Sequence, residues 1–402
     1  MQAVFSPSAA CGTVAAPPSK SMAHRLLLCA GLAQGESLVH GVAFSQDVLA
    51  TMECLRALGA RLTVQGDAVR VIGMDVSAHG AVTLPCRESG STLRFLLPLA
   101  LLGGAEASFT AGTSLLARPM TVYEQLSAEK GLRFERSEGA ITVAGPLRPG
   151  DYTVSGAVSS QFVSGLLFAL PLLPGQSTLR LLPPVESRPY IALTLQALAQ
   201  ADIRVEQPQP DCFVIPGGQQ YRAGEWRVEG DWSNAAAYDA LNLCGGRVTV
   251  TGLAPDSLQG DRVYPTHFDR LRQGCCTVDL TDCPDLGPLL FVAAALLHGG
   301  VFTGAHRLRY KESDRIAAMT SALARCGVAL QVTQDRVTVP GGCLRAPSQP
   351  LDGCSDHRIV MALAVLLSGL GGVLNGCEAV DKSCPDFWTQ LRRLGVAVTL
   401  TK

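Results

Sequence analysis

The chain alternates between two hydrophobic rhythms. Stretches with apolar residues on one helical face are followed by short runs in which apolar and polar residues alternate. In residues 47–59, Val48, Met52 and Leu55 share one helical face. Gly59 stands where a left-handed cap closes a helix, and residues 60–64 then alternate as a strand does. Further copies end near Gly131, Ala201, Gly274, Gly327 and Gly395. A period of about seventy residues is too long for a common solenoid and fits a repeated βαβ-type sub-fold. The interval from Gly274 to Gly327 is shorter than the others. There the chain passes from Gly274 almost directly to Asp282-Cys-Pro-Asp285, where other copies lead into hairpins such as residues 67–72 and 335–339. One copy, at about 266–285, is therefore expected to lack a strand pair.

Six copies predict two similar α/β lobes of three each. The natural crossings are Pro17-Pro18 and the loop at residues 227–231. One lobe would hold residues 19–227. The other would hold the N-terminal strand, in 1–18, together with 228–402. A cleft between two lobes is a common address for small-molecule sites.

Basic residues sit where helices are expected to begin. Lys20 precedes the apolar run 26–30, Arg94 precedes 95–102, Arg118 precedes Pro119, and Arg358 opens 359–367. The densest case is residues 307–315, where Arg307, Arg309, Lys311 and Arg315 stand with Glu312 and Asp314. Alternation of Leu308 and Tyr310 with the cations predicts a strand end there, and Ser313-Asp314 predicts a helix cap. A cation in the first turn of a helix opposes the helix dipole, and a bound anion resolves the conflict. Singly, each such cation reads as exposed surface or a structural ion pair. Together they point to anionic ligands.

The bulk numbers narrow the field. With 33 Lys+Arg against 34 Asp+Glu the net charge is −1, so no global basic field exists for nucleic acid or a membrane surface. Aromatics at 5% offer little for stacking on bases. The 14 Cys include no Cys-x-x-Cys pair and many lie in apolar runs, which points to a reducing cytoplasm. The seven His are dispersed, so neither a metal nor another cofactor is expected. No signal peptide is expected, and the longest apolar run, 359–374, falls short of a membrane span.

An ordered set of motifs then resembles the EPSP synthase family of enolpyruvyl transferases. It comprises Pro18-Ser-Lys-Ser-Met-Ala-His-Arg25, Ser89-Gly-Ser-Thr-Leu-Arg94, Arg118-Pro-Met120, Ser159-Ser-Gln161, Ser187-Arg-Pro-Tyr190, Pro284-Asp285, Lys311-Glu-Ser-Asp-Arg315, Asp356-His-Arg358 and Lys382-Ser-Cys-Pro-Asp386. The resemblance implies a two-domain inverse α/β barrel of six βαβαββ repeats. It implies transfer of the enolpyruvyl group of phosphoenolpyruvate to the 5-hydroxyl of shikimate 3-phosphate, by a monomer. The phosphoenolpyruvate site implied is Lys20, Gly90, Arg118, Gln161, Arg315, Arg358 and Lys382. The shikimate 3-phosphate site implied is Lys20, Ser21, Arg25, Ser159, Ser160, Gln161, Ser187, Tyr190, Asp285 and Lys311. Asp285 is the expected general base, its bland alternative being a helix cap. Glu312 and Lys20 are both candidates for moving the proton at the methylene carbon. The resemblance also implies that Gly90 faces the phosphoenolpyruvate pocket, where glyphosate binds too.

Two positions depart from the family pattern. Glu88 stands where Asn is frequent, and a carboxylate there could pair with Arg94. Arg307 stands where many members place Asn. The sister enzyme acting on UDP-N-acetylglucosamine normally carries a Cys five residues before an Arg-Pro, where this chain has Thr113. A non-catalytic anion binder is the other alternative. Turnover with both substrates separates it from an enzyme.

Overall fold

The computed structural model describes residues 1–342 and 344–401. The chain divides into two compact units, Pro18–Val228 and Met1–Pro17 with Glu229–Lys402. Each has its own apolar core.

The unit at 18–228 repeats one sheet design three times. Val82–Arg87 lies parallel to Glu106–Ala111, which pairs antiparallel with Ala140–Ala144 and through it with Arg133–Ser137. The same order recurs in Asp151–Ser155, Ser177–Leu182, Cys212–Ile215 and Glu206–Gln209. It recurs again in Glu225–Arg227, Glu36–His40, Ala68–Ile72 and Arg61–Gln65. Parallel neighbours require a long crossover, which an inner helix supplies in the first two sheets, while in the third the inner helix leads into Glu36–His40. These helices are α1 (Lys20–Leu32), α2 (Gly90–Ala100) and α3 (Ser160–Ala169), each almost wholly buried. A helix that is apolar nearly all round belongs inside, and a strand buried on alternate residues, as in Asp151–Ser155, belongs outside. Helices within and sheets without make the barrel inverse.

The second unit follows the same plan with one omission. Two sheets are complete, one of them using the N-terminal strand Gln2–Phe5 between Gly372–Asn375 and Val398–Thr401. The third has only Cys11–Ala15 parallel to Arg247–Thr251 among the described residues. The helix Tyr264–Gln273 ends at Gly274, and Cys276–Asp279 already opens the next sheet. The antiparallel pair found in the five four-stranded sheets is missing among the described residues, as the short interval in the sequence predicts. The inner helices here are α4 (Trp232–Ala240), α5 (Gly287–Leu296) and α6 (His357–Leu370).

Three local expectations change. Residues 306–310 form a 3₁₀ turn rather than a strand end. Arg94 lies in the second turn of α2, because Ser89 caps that helix earlier than the apolar run suggests. Arg118 stands outside the helix Thr121–Lys130 that follows Pro119.

Candidate active site

Within each unit, several candidate residues lie at the N-termini of the inner helices. In the 18–228 unit these ends are capped alike. Ser19, Ser89 and Ser159 each accept a backbone N–H with their hydroxyl, at Met22, Thr92 and Gln161. A neutral cap satisfies one donor and leaves the positive end of the helix to attract an anion. Lys20 is the first residue of α1 and donates to Asp47 at 2.8 Å.

Arg25 is buried one turn further along α1. Its guanidinium donates to the Thr194 hydroxyl at 2.9 Å and to the backbone oxygens of Ser21 at 2.7 Å and Tyr190 at 2.9 Å. It also stands over the Phe95 ring. Burial with no carboxylate among these partners lowers its pKa to about 10. Ser21, Arg25 and Tyr190 are thus brought together. Ser187 precedes them in a left-handed conformation, at φ 56°, before the helix Arg188–Gln200.

Gly90 opens α2 beside a second group. A Cβ placed there would lie 3.1 Å from Arg118 Nη1 and 3.6 Å from both Arg94 Nη1 and Gln161 Oε1. Gln161 accepts from Arg94 at 2.7 Å and donates to Ser91 at 3.0 Å. Arg94 also lies over the Phe162 ring. Glu88 packs its carboxylate against Gly112, where a side chain would collide with it.

The 229–402 unit is built from charge. Arg315, 1% exposed, opens the helix Arg315–Arg325 behind the Asp314 cap. It donates to Asp356 at 2.8 and 3.3 Å, to Asp285 at 2.9 Å and to Glu312 at 2.7 Å. Burial works against its charge, but Asp356, Glu312 and Asp285 outweigh it and raise its pKa. Asp356 caps α6 by accepting the Arg358 N–H. Arg358 reaches Asn234 at 2.8 Å and Asp285 at 3.6 Å. Lys311 completes the ring round Asp285 at 3.3 Å. Burial lowers the Lys311 pKa, Asp285 opposes that, and Arg315 and Arg307 reinforce it. Lys382 donates to the Ser355 carbonyl in the loop that carries Asp356.

Asp285, with no neighbouring cation in sequence, is crowded by cations in the fold. Lys311 and Arg315 are remote in sequence from Asp285, as is Arg358, yet all three surround it. Burial pushes its pKa up, and the three cations overcome that and hold it well below the usual carboxylate range. Nor is it a helix cap. It sits in the 3₁₀ turn Pro284–Leu286, and α5 starts without a side-chain cap. The sequence reading missed Asp47, which holds Lys20, and Asn234, which holds Arg358. No local motif marks either, since each partner lies far along the chain.

Comparison with known proteins settles the family. Residues 5–391 match the sequence model of EPSP synthase (3-phosphoshikimate 1-carboxyvinyltransferase). The chain belongs to the EPSP synthase family. The 3-phosphoshikimate 1-carboxyvinyltransferase of Clostridium kluyveri is 37% identical over 96% of this chain and 95% of its own length. That of Clostridium novyi is 33% identical over 97% and 96%. The solved EPSP synthase of Acinetobacter baumannii superposes over 100% of both chains with a TM-score of 0.78 at 21% identity, which gives the fold. With its shortened fourth copy, this EPSP synthase family member shows five four-stranded sheets among its described residues, one hairpin short of six. No described helix is long and apolar enough to cross a membrane. Among the described residues no group of three or more His, Cys, Asp or Glu could hold a metal ion.

Proposed function

We propose that the two clusters of cations, one in each unit, carry the family's reaction in this chain. That reaction transfers the enolpyruvyl group of phosphoenolpyruvate to the 5-hydroxyl of shikimate 3-phosphate and releases phosphate. The observation that carries the assignment is Asp285, a buried carboxylate held by Lys311, Arg315 and Arg358.

Arg25, with Lys20, Ser21, Ser159, Ser160, Gln161, Ser187 and Tyr190, holds shikimate 3-phosphate. Lys311 and Asp285 complete that set. Lys20, Arg118, Gln161, Arg315, Arg358 and Lys382 hold phosphoenolpyruvate, with Gly90 giving it room. Arginine suits this task because its planar fork matches carboxylate and phosphate oxygens. Holding both substrates makes the addition effectively intramolecular.

Asp285 is a poor base while three cations surround it. Anionic substrates that engage Lys311, Arg315 and Arg358 take up part of their field, and the proton affinity of Asp285 rises. It then accepts the 5-hydroxyl proton as the oxygen attacks C2 of phosphoenolpyruvate, and a proton goes to the methylene carbon. Elimination of phosphate removes a proton from that carbon again. Glu312, held by Arg315, and Lys20, held by Asp47, are the two groups for those steps. All described cysteines are free thiols, which supports a reducing compartment such as the cytoplasm.

The test is phosphate release by the purified chain. Release should need both substrates and persist in EDTA. Release from phosphoenolpyruvate alone, or rescue of an EDTA-treated sample by a divalent ion, would overturn the reading.

A further inference from the structure

Asp261 is a buried acid that the reaction above does not use. It lies in the 3₁₀ turn Gly260–Val263, 1% exposed. The Ser233 hydroxyl, in the first turn of α4, donates to its Oδ2. Ser233 also lines a cavity of about 10 Å³, enough for about one water, whose other walls include Asp285 and Arg358. A chain of polar groups therefore runs from Asp261 through Ser233 to the space beside Asp285.

The two acids have opposite surroundings. Asp285 has three cations at hand. Asp261 has burial first, then the charge of Asp285, both pushing its pKa up. Ser233 and Arg358 pull it down and Asp231 pushes again, leaving it at about 7. The Asp261 charge in turn raises the proton affinity of the Cys283 thiol and of Arg358. Neighbouring carboxyls of this kind titrate as a pair, and the charge of each raises the proton affinity of the other.

We propose that Asp261 is a positioning residue acting through Asp285: its own charge, felt across Ser233 and the cavity that Ser233 lines with Asp285, sets how strongly Asp285 holds a proton. When Asp261 is neutral, the three cations leave Asp285 a weak base. When Asp261 loses its proton, a second negative charge offsets them and Asp285 becomes a better one. Turnover then rises with pH as Asp261 ionises. The inference rests on Asp285 being the general base.

The test compares kcat and KM by phosphate release across the neutral pH range for the wild-type chain, Asp261→Asn and Ser233→Ala. In the wild type kcat should rise through about pH 7. Asp261→Asn should lose that rise and run about tenfold slower on the alkaline side, a fraction of what losing the base itself would cost. KM for both substrates should stay within about threefold, since Asp261 is assigned no substrate contact. Ser233→Ala should move the rise to higher pH, because the hydroxyl favours the ionised acid. If Asp261→Asn fails to fold, Ser233→Ala decides alone, and an unmoved midpoint overturns the inference. So does an Asp261→Asn profile that overlies the wild type, or a loss seen in KM with kcat unchanged. A wild-type chain that releases no phosphate overturns the function as well; turnover indifferent to both substitutions overturns only the role of Asp261.

Discussion

The two units present the N-termini of their inner helices differently. In the 18–228 unit the caps are Ser19, Ser89 and Ser159. In the other unit α4 and α6 are capped by Asp231 and Asp356, and Asp285 stands just before α5. A serine satisfies the helix end without cancelling its positive potential. An aspartate cancels it, and its second oxygen can bind an arginine, as Asp356 does with Arg315. The buried arginines follow suit. Arg25 has hydroxyl and carbonyl partners and a lowered pKa, whereas Arg315 has three carboxylates and a raised one. One framework therefore yields neutral, positively biased helix ends in one unit and a charge-paired cluster in the other.

The sharpest test of the proton side is Asp285→Ala. Its kcat should fall about a hundredfold to ten-thousandfold, as expected for loss of a general base. Both substrates should still bind by calorimetry, since the cations remain. A turnover number near wild type would remove Asp285 from the chemistry.

The arginine contrast predicts unequal stabilities. Arg315→Met strands Asp356, Glu312 and Asp285 without their shared partner, and breaking such a buried group costs about 3–5 kcal/mol. Arg25→Met leaves only a hydroxyl and two carbonyls behind and should cost less than half of that. Urea denaturation of the two variants measures both. Equal losses would mean that the two sites do not differ as their partners suggest.

The caps can be exchanged in character. Ser159→Asp keeps a good cap for α3 and complements the helix dipole, so the melting temperature should hold or rise slightly. It places a negative charge where the substrate phosphate is assigned, and KM for shikimate 3-phosphate should rise about tenfold or more. An unchanged KM would place the phosphate away from α3.

The smallest effect belongs to Gly90. Its methyl in Gly90→Ala would press on Arg118 Nη1 at 3.1 Å, a contact an arginine tip can relieve by shifting. Glyphosate is longer than phosphoenolpyruvate and should lose more from the narrowed space. Its inhibition constant should rise several-fold beyond any rise in KM, read from competitive inhibition on both forms. Equal losses for the two ligands would locate the effect in Arg118 rather than in the available room.

Much of the architecture is legible in the order of residues. Repeat rhythm is a local property, so copies ending near Gly59, Gly131 and Gly395 announce the six-fold plan. Even the missing hairpin is visible, because deleting a strand pair shortens the interval between Gly274 and Gly327. Cations at helix starts are local too, and Lys20, Arg315 and Arg358 are found that way. Helix boundaries are less legible. Arg94 falls inside α2 because a serine cap outranks the apolar run in deciding where that helix begins.

Pairing is what only the tertiary structure decides. Asp285 has no cation beside it in sequence, and Lys311, Arg315 and Arg358 reach it because the turns before α5, the 315–325 helix and α6 converge. The fold likewise gives Asp261 its unusual proton affinity, and in the 18–228 unit the approach of the 188–200 helix to α1 gives Arg25 its neutral company. Electrostatic character depends on distance and burial rather than on spacing along the chain. The sequence by itself determines which charges the chain owns and which strands and helices carry them, and folding determines whether a given carboxylate ends as a base, a counter-ion or a held proton.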